Sequence, residues 1–139
     1  MMLFGPVVVW LLVTIFGPYD VTQGVSSKLL YIHVPTVWIA YLAYTLTFLY
    51  SALYLFSKKS KYDSIAIANA KSGVVFTIVT LLSGSYWGKQ TWGTWWVWGD
   101  ARLNLTAILL LVYLGYIASR QFNKDCLLYT SDAADDLTR

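Results

Sequence analysis

Five of the seven tryptophans in this sequence fall in one stretch, Trp87-Gly-Lys-Gln-Thr-Trp92-Gly-Thr-Trp95-Trp96-Val-Trp98. A membrane-interface belt usually draws one or two aromatics from each helix end. Here they are packed together, with Gly88, Gly93 and Gly99 letting the backbone bend. A dense indole surface suits a large flat aromatic ligand, which it stacks against and shields from water. Physics alone leaves both readings open, ligand platform and interfacial belt. His33 is the one histidine, a side chain that titrates near neutrality and a common metal ligand. Alone at an interface it reads as a polar anchor. On the same face as the indoles it gains a second reading, in which imidazole holds a central iron and indoles surround the ring. Arg102 and Lys89 supply positive charge for acidic substituents, Arg102 through its bidentate fork. Asp100 reads more simply as a helix N-cap with a local ion pair to Arg102.

The same inventory excludes other chemistry. There is no glutamate, and Cys126 is the single cysteine. A Cys/His zinc site, an HExxH helix or a Ser-His-Glu triad cannot be assembled from that stock. Without CxxC or CxxCH there is neither a dithiol redox motif nor covalent c-type haem attachment. Gly84-x-x-x-Gly88-Lys89-Gln90 is one residue short of a phosphate-binding loop and lacks the following Ser/Thr. A net charge of +3 over 139 residues is too small and too scattered for nucleic acid.

The elements that carry these residues are apolar helices. Of the chain, 58% is hydrophobic and 12% charged, about half the charge of a soluble domain. Mean hydropathy is +0.56. These values predict an all-α membrane protein, a bundle of about four transmembrane helices with a tryptophan-rich outer loop. The predicted spans are Met1 to Phe16 (uncleaved, with no signal-peptide features), Val34 to Phe56, Ser64 to Tyr86 and Ala101 to Ser119. Pro35 is placed in the first turn of the second span, where its missing N–H costs nothing. Lys71 lies inside the third span. It reads as a snorkelling side chain, with an intramembrane functional residue as the alternative. Lys58, Lys59, Lys61, Arg120 and Lys124 outnumber Lys28, Lys89 and Arg102 on the other side, which places both termini in the cytoplasm and His33 with the tryptophans outside.

Trp92-Gly-Thr-Trp-Trp-Val-Trp98 followed by Asp100-Ala-Arg-Leu103 resembles the tryptophan-rich signature of the haem-handling membrane proteins of cytochrome c assembly. Tyr31-Ile-His-Val-Pro35 and Ser83-Gly-Ser-Tyr-Trp-Gly-Lys89 are similar to the corresponding stretches of the haem exporter protein C family. The likeness covers roughly Val9 to Ser119. It implies a multi-pass protein of the bacterial inner membrane, or of its organellar descendant, that is not an enzyme and presents haem on the outer face. The implied cofactor is non-covalent haem b, and the implied partners are a haem chaperone, ABC-type transporter subunits and a small membrane subunit. By position, His33 would be an axial iron ligand, Trp87, Trp92, Trp95, Trp96 and Trp98 the haem platform, and Asp100 and Arg102 the close of the signature.

The sequence departs from that family in three places. Gly99 separates Trp98 from Asp100, where the family usually has them adjacent. The family has six spans, with a second ligand histidine between the fifth and sixth, and four are predicted here. Residues 1–122 are therefore expected to be a partial cytochrome c assembly domain. Residues 123–139, with Cys126 and four acidic residues, are expected to be a non-family tail resembling translated adapter read-through. Two other functions compete. One is a synthase-like component that attaches haem to apocytochrome, against which the Tyr31 to Pro35 match argues. The other is a membrane scaffold whose aromatic loop is only an interfacial anchor.

Overall fold

The computed structural model describes the backbone of residues 4–18 and 20–137, and within it the side chains of residues 8, 10–18, 20–24 and 26–122. Four α-helices follow one another, and no strand occurs among the described residues: α1 (Phe4–Phe16), α2 (Leu30–Ser57), α3 (Ser60–Trp92) and α4 (Ala101–Leu137). A 3₁₀ segment, Val25–Leu29, leads directly into α2. Among the described residues three stretches are long and apolar enough to cross a membrane: Ser26–Ser57, Ser60–Trp92 and Ala101–Phe122. The chain is thus a multi-pass membrane protein. The 13 described residues of α1 make about 20 Å of helix, short of the ~30 Å hydrocarbon core.

The bundle is organised on the α2–α3 hairpin. Only Lys58 and Lys59 separate the two helices. Lys58 takes the left-handed conformation (φ 55°), and its N–H closes α2 on the Tyr54 carbonyl at 2.8 Å. The seam between the helices is lined by small or hydroxylated residues, with Ala40, Ala43, Ala66, Ala70, Thr36, Thr47, Thr77 and Thr80 all buried. In lipid no hydrophobic force draws helices together, so close approach and interhelical hydrogen bonds must do so. Gly73 provides the closest approach: a Cβ there would lie 2.5 Å from the Tyr44 ring. Thr77 Oγ1 donates to the Gly73 carbonyl (2.7 Å), so its single proton is committed and Tyr44 OH donates to Thr77 Oγ1 (2.8 Å). Thr80 donates across the seam to Thr36 (3.1 Å), which donates on to the His33 carbonyl (2.8 Å).

Helix α4 joins through aromatic contacts. Tyr113 stacks on Tyr44 with ring centroids 3.9 Å apart. At the far end of the bundle Arg120 pairs with Asp63 and lies over the Tyr116 ring.

Four sequence expectations need correction. Helix α2 begins at Leu30, which puts His33 inside the helix rather than in the loop before it. Pro35 is consequently the sixth helical residue, and its missing N–H leaves the Tyr31 carbonyl without its helical donor. Helix α3 runs on to Trp92, so Trp87 and Trp92 are helical rather than looped; nothing breaks the helix before Gly93, whose φ of 75° ends it. Helix α4 continues past Ser119 to Leu137. The Cys126 side chain and those of the predicted tail lie outside the described residues.

Candidate functional site

A half-open cleft of about 280 Å³ is lined by residues of α2, α3 and α4 at the end of the bundle where α2 starts and α3 ends. It brings together five of the residues singled out from sequence: His33, Trp87, Trp92, Asp100 and Arg102. They lie up to 69 positions apart in the chain, so only the fold unites them. Apolar side chains, Val37, Leu81 and Leu103 among them, complete the walls.

His33 is half-buried, and its position is set by α3. Its Nδ1 lies 3.0 Å from Ser83 Oγ. Beside it, Gly84 lets the ring rest on bare backbone, since a Cβ at that position would sit 2.9 Å from His33 Cε1. The Thr80 backbone carbonyl is a second acceptor beside the ring, and no described side chain bonds Nε2. No buried side-chain nitrogen or oxygen there is left unpaired, so Nε2 is open to the cleft rather than sealed in the core.

The aromatic stretch divides into two parts. Trp87 and Trp92, five residues apart on α3, meet edge to face with centroids 5.2 Å apart and line the cleft. Trp87 also donates its indole N–H to Gln23 Oε1 (3.2 Å), which ties the cleft to the loop between α1 and α2. Trp95, Trp96 and Trp98 do not line it. Trp95 packs edge-on against Tyr86, and Trp96 against Trp98. Asn104 on α4 holds the loop that carries them, accepting from the Trp96 indole (3.2 Å) and donating to the Trp98 carbonyl (2.6 Å). Trp98 is 83% exposed.

Asp100 caps α4, with Oδ1 accepting the Arg102 backbone N–H at 2.8 Å. The Arg102 guanidinium grips the same carboxylate through Nε (3.2 Å) and Nη2 (2.8 Å). These bonds hold the Asp100 carboxyl below the usual carboxylate range. The fork of Arg102 is therefore already engaged, and Lys89 Nζ is likewise bonded to the Gly93 carbonyl at 2.8 Å. An acidic group of a ligand would meet the N–H groups that these bonds leave over, Nη1 of Arg102 among them. Gly99 has open space around its Cα, and the extra residue does not carry Asp100 away from the cleft. Lys71 is exposed on α3, away from it.

Sequence reasoning missed Val37, Tyr41, Thr80, Leu81 and Thr106 in the walls, and Asn104 and Gln23 behind the indoles. On a spanning helix apolar residues ring the whole circumference, so a wall residue carries no pattern that marks it. Asn104, a lone amide near the start of an apolar helix, was the one visible signal.

The family profile described as Heme exporter protein C matches residues 1–131. The chain belongs to that family. It is 40% identical over 109 residues to the Putative cytochrome c biosynthesis ccmC-like mitochondrial protein of Marchantia polymorpha, covering 78% of this chain and 47% of that protein. It is 38% identical over 118 residues to Heme exporter protein C of Haemophilus influenzae (85% of this chain, 47% of the relative) and 40% identical over 103 residues to that of Escherichia coli K12 (74% and 42%). The chain spans less than half the length of these relatives.

The cleft fits a metal-centred aromatic macrocycle in its donor set. It offers one imidazole nitrogen with no side-chain partner, two indoles and an otherwise largely apolar lining. It is smaller than a haem, so part of the ring would lie outside it. No group of three or more His, Cys, Asp or Glu residues suited to a bare metal ion occurs among the described residues.

Proposed function

We propose that this chain carries one haem site of a non-enzymatic cytochrome c maturation protein and presents haem b, bound without covalent attachment, for transfer to a haem chaperone. The observation that carries the reading is the convergence of His33, Trp87 and Trp92 on one cleft in a member of the Heme exporter protein C family. His33 would hold the iron through Nε2. Trp87 and Trp92 would flank the ring within the cleft, and Trp95, Trp96 and Trp98 would lie along the part outside it. Haem, when bound, would supply an iron that takes imidazole as a ligand, and the protein's levers would be His33 and the apolar walls around it. Asp100 and Arg102 fix the start of α4 and so the cleft's third wall. Arg102 would meet a ligand carboxylate through Nη1 while Nε and Nη2 stay on Asp100.

The lysine distribution supports an orientation with the cleft on the outer face of a bacterial inner membrane or its organellar descendant. There it would work beside ABC-type transporter subunits and a small membrane subunit. We further read residues 1–122 as the working domain and 123–139 as foreign to it, although the family profile itself runs on to residue 131.

The test is a haemin titration of the purified chain and of His33→Ala, followed by absorption spectroscopy. The native chain is expected to bind one haemin through a single histidine, in a five-coordinate or water-ligated form. Binding by His33→Ala with an unchanged spectrum would refute the assignment.

A further inference from the structure

Among the described side chains, Ser83 is the one that hydrogen-bonds the His33 ring, and the Thr80 backbone carbonyl stands beside it as a second acceptor. Its Oγ lies 2.8 Å from the Val79 carbonyl and 3.1 Å from the Thr80 carbonyl, both on its own helix. A hydroxyl has one hydrogen, and a carbonyl oxygen can only accept. Two oxygens 2.8 Å apart repel unless a proton lies between them, so the Ser83 proton is committed to the helix backbone. The 3.0 Å contact with His33 Nδ1 must then be made with the histidine's proton. In a neutral imidazole one nitrogen donates and the other accepts, and the bond made by one decides the state of the other.

We propose that Ser83 is a positioning residue for His33: it accepts the Nδ1–H, fixes the ring in that tautomer, and leaves Nε2 as the lone-pair atom that faces the cleft. Free histidine in water prefers the opposite tautomer, with the proton on Nε2 and nothing there to give a metal. Ser83 thus reverses the preference before any ligand arrives. Gly84 supports the arrangement sterically, because a Cβ there would press on the ring at 2.9 Å. Hydrogen-bond partners of this kind orient a ligating imidazole, and their loss costs about 10–100-fold in metal affinity. The role of Nε2 toward iron rests on the function proposed above. The proton arrangement does not.

The experiment exploits the fact that His33 is the only histidine in the chain. The full chain is made with ¹⁵N-labelled histidine on a histidine-free affinity tag and studied in detergent without haem. Nitrogen NMR is expected to show one protonated nitrogen, Nδ1, and one lone-pair nitrogen, Nε2. Ser83→Thr, which keeps the hydroxyl, should give the same spectrum. Ser83→Ala should move the proton toward Nε2 or average it over both positions. An Nε2–H tautomer in the native chain would overturn the proposal, and so would an unchanged tautomer in Ser83→Ala. Haemin titration then reads the consequence: about tenfold weaker binding by Ser83→Ala, restored by Ser83→Thr. Should His33→Ala and the native chain bind haemin alike, the iron-ligand reading fails, while the nitrogen spectra still decide whether Ser83 sets the tautomer.

Discussion

Trp10 of α1 donates its indole N–H to the Tyr31 carbonyl of α2 at 2.8 Å. Tyr31 is the residue whose carbonyl Pro35 leaves without a helical donor, because proline has no N–H to return four residues back. The break in the α2 ladder is thereby one attachment point of α1, beside the Lys28 bond to the Ile15 carbonyl. A proline without consequence in the sequence instead creates an acceptor in the fold, and a distant tryptophan fills it.

Trp10→Phe should therefore destabilise the protein by about 0.5–1.5 kcal/mol, the worth of one hydrogen bond, since the site is partly exposed. In a Pro35→Ala background, where the backbone N–H restored at that position can reach the Tyr31 carbonyl, the same change should cost less. Thermal unfolding of the four proteins in detergent gives the coupling directly. Equal costs in both backgrounds would mean that the indole bond and the proline are unrelated.

The seam of α2 and α3 makes a second expectation. Gly73→Ala places a methyl group 2.5 Å from the Tyr44 ring, which cannot yield without leaving Tyr113 and Thr77. Overpacking of this kind costs about 1–3 kcal/mol. The loss should appear as a lower unfolding temperature and as weaker attachment of α4, read by the proteolysis rate of the loop from Gly93 to Asp100. A variant as stable and as protease-resistant as the native chain would contradict the packing described.

The two groups of indoles should separate in haemin titrations. Each aromatic contact is worth about 0.5–1.5 kcal/mol beyond burial. Trp87 and Trp92 lie in the cleft, so replacing both with Ala should weaken binding about tenfold or more. Replacing Trp95 and Trp98 should cost less, because they can meet only the ring's outer part. If the second pair cost more than the first, haem would sit on the loop and not in the cleft.

Orientation can be checked without any ligand. Single cysteines at Thr22 and Ser60, in a Cys126→Ser background, occupy exposed positions at opposite ends of the hairpin. An impermeant thiol reagent added to sealed, right-side-out vesicles should label Thr22→Cys and spare Ser60→Cys. Labelling of Ser60→Cys alone would invert the proposed orientation.

What was legible in the sequence was chemistry concentrated in rare residues. One histidine and a cluster of tryptophans stand out of an apolar background, and His33, Trp87 and Trp92 do meet in space. The helices were legible as apolar runs, with ends misplaced where the signal was weak. Trp87 to Trp92 reads as loop because its composition is unusual, yet helix geometry tolerates indoles and stops only at Gly93. Far less visible was the pairing of α2 with α3. Thr36, Thr77 and Thr80 look like ordinary polar insertions in spanning segments. Each becomes meaningful only when the opposite helix supplies Thr80, Tyr44 or Thr36 to meet it. Ser83 escaped for the same reason: its partner is 50 residues away.

Counting along the hairpin gives the short turn at Lys58 a further meaning. His33 stands 25 residues before Lys58, and its partner Ser83 stands 25 after; Thr36 and Thr80 each stand 22 away. The two arms are matched rulers folded at one point. One residue added to a single arm would advance that arm by about 1.5 Å and turn it by about 100°, carrying the serine off the imidazole. Length changes in this part of the chain are therefore tolerable only beyond His33 on one arm and beyond Ser83 on the other. Between those two positions the number of residues is as much a part of the site as their identity.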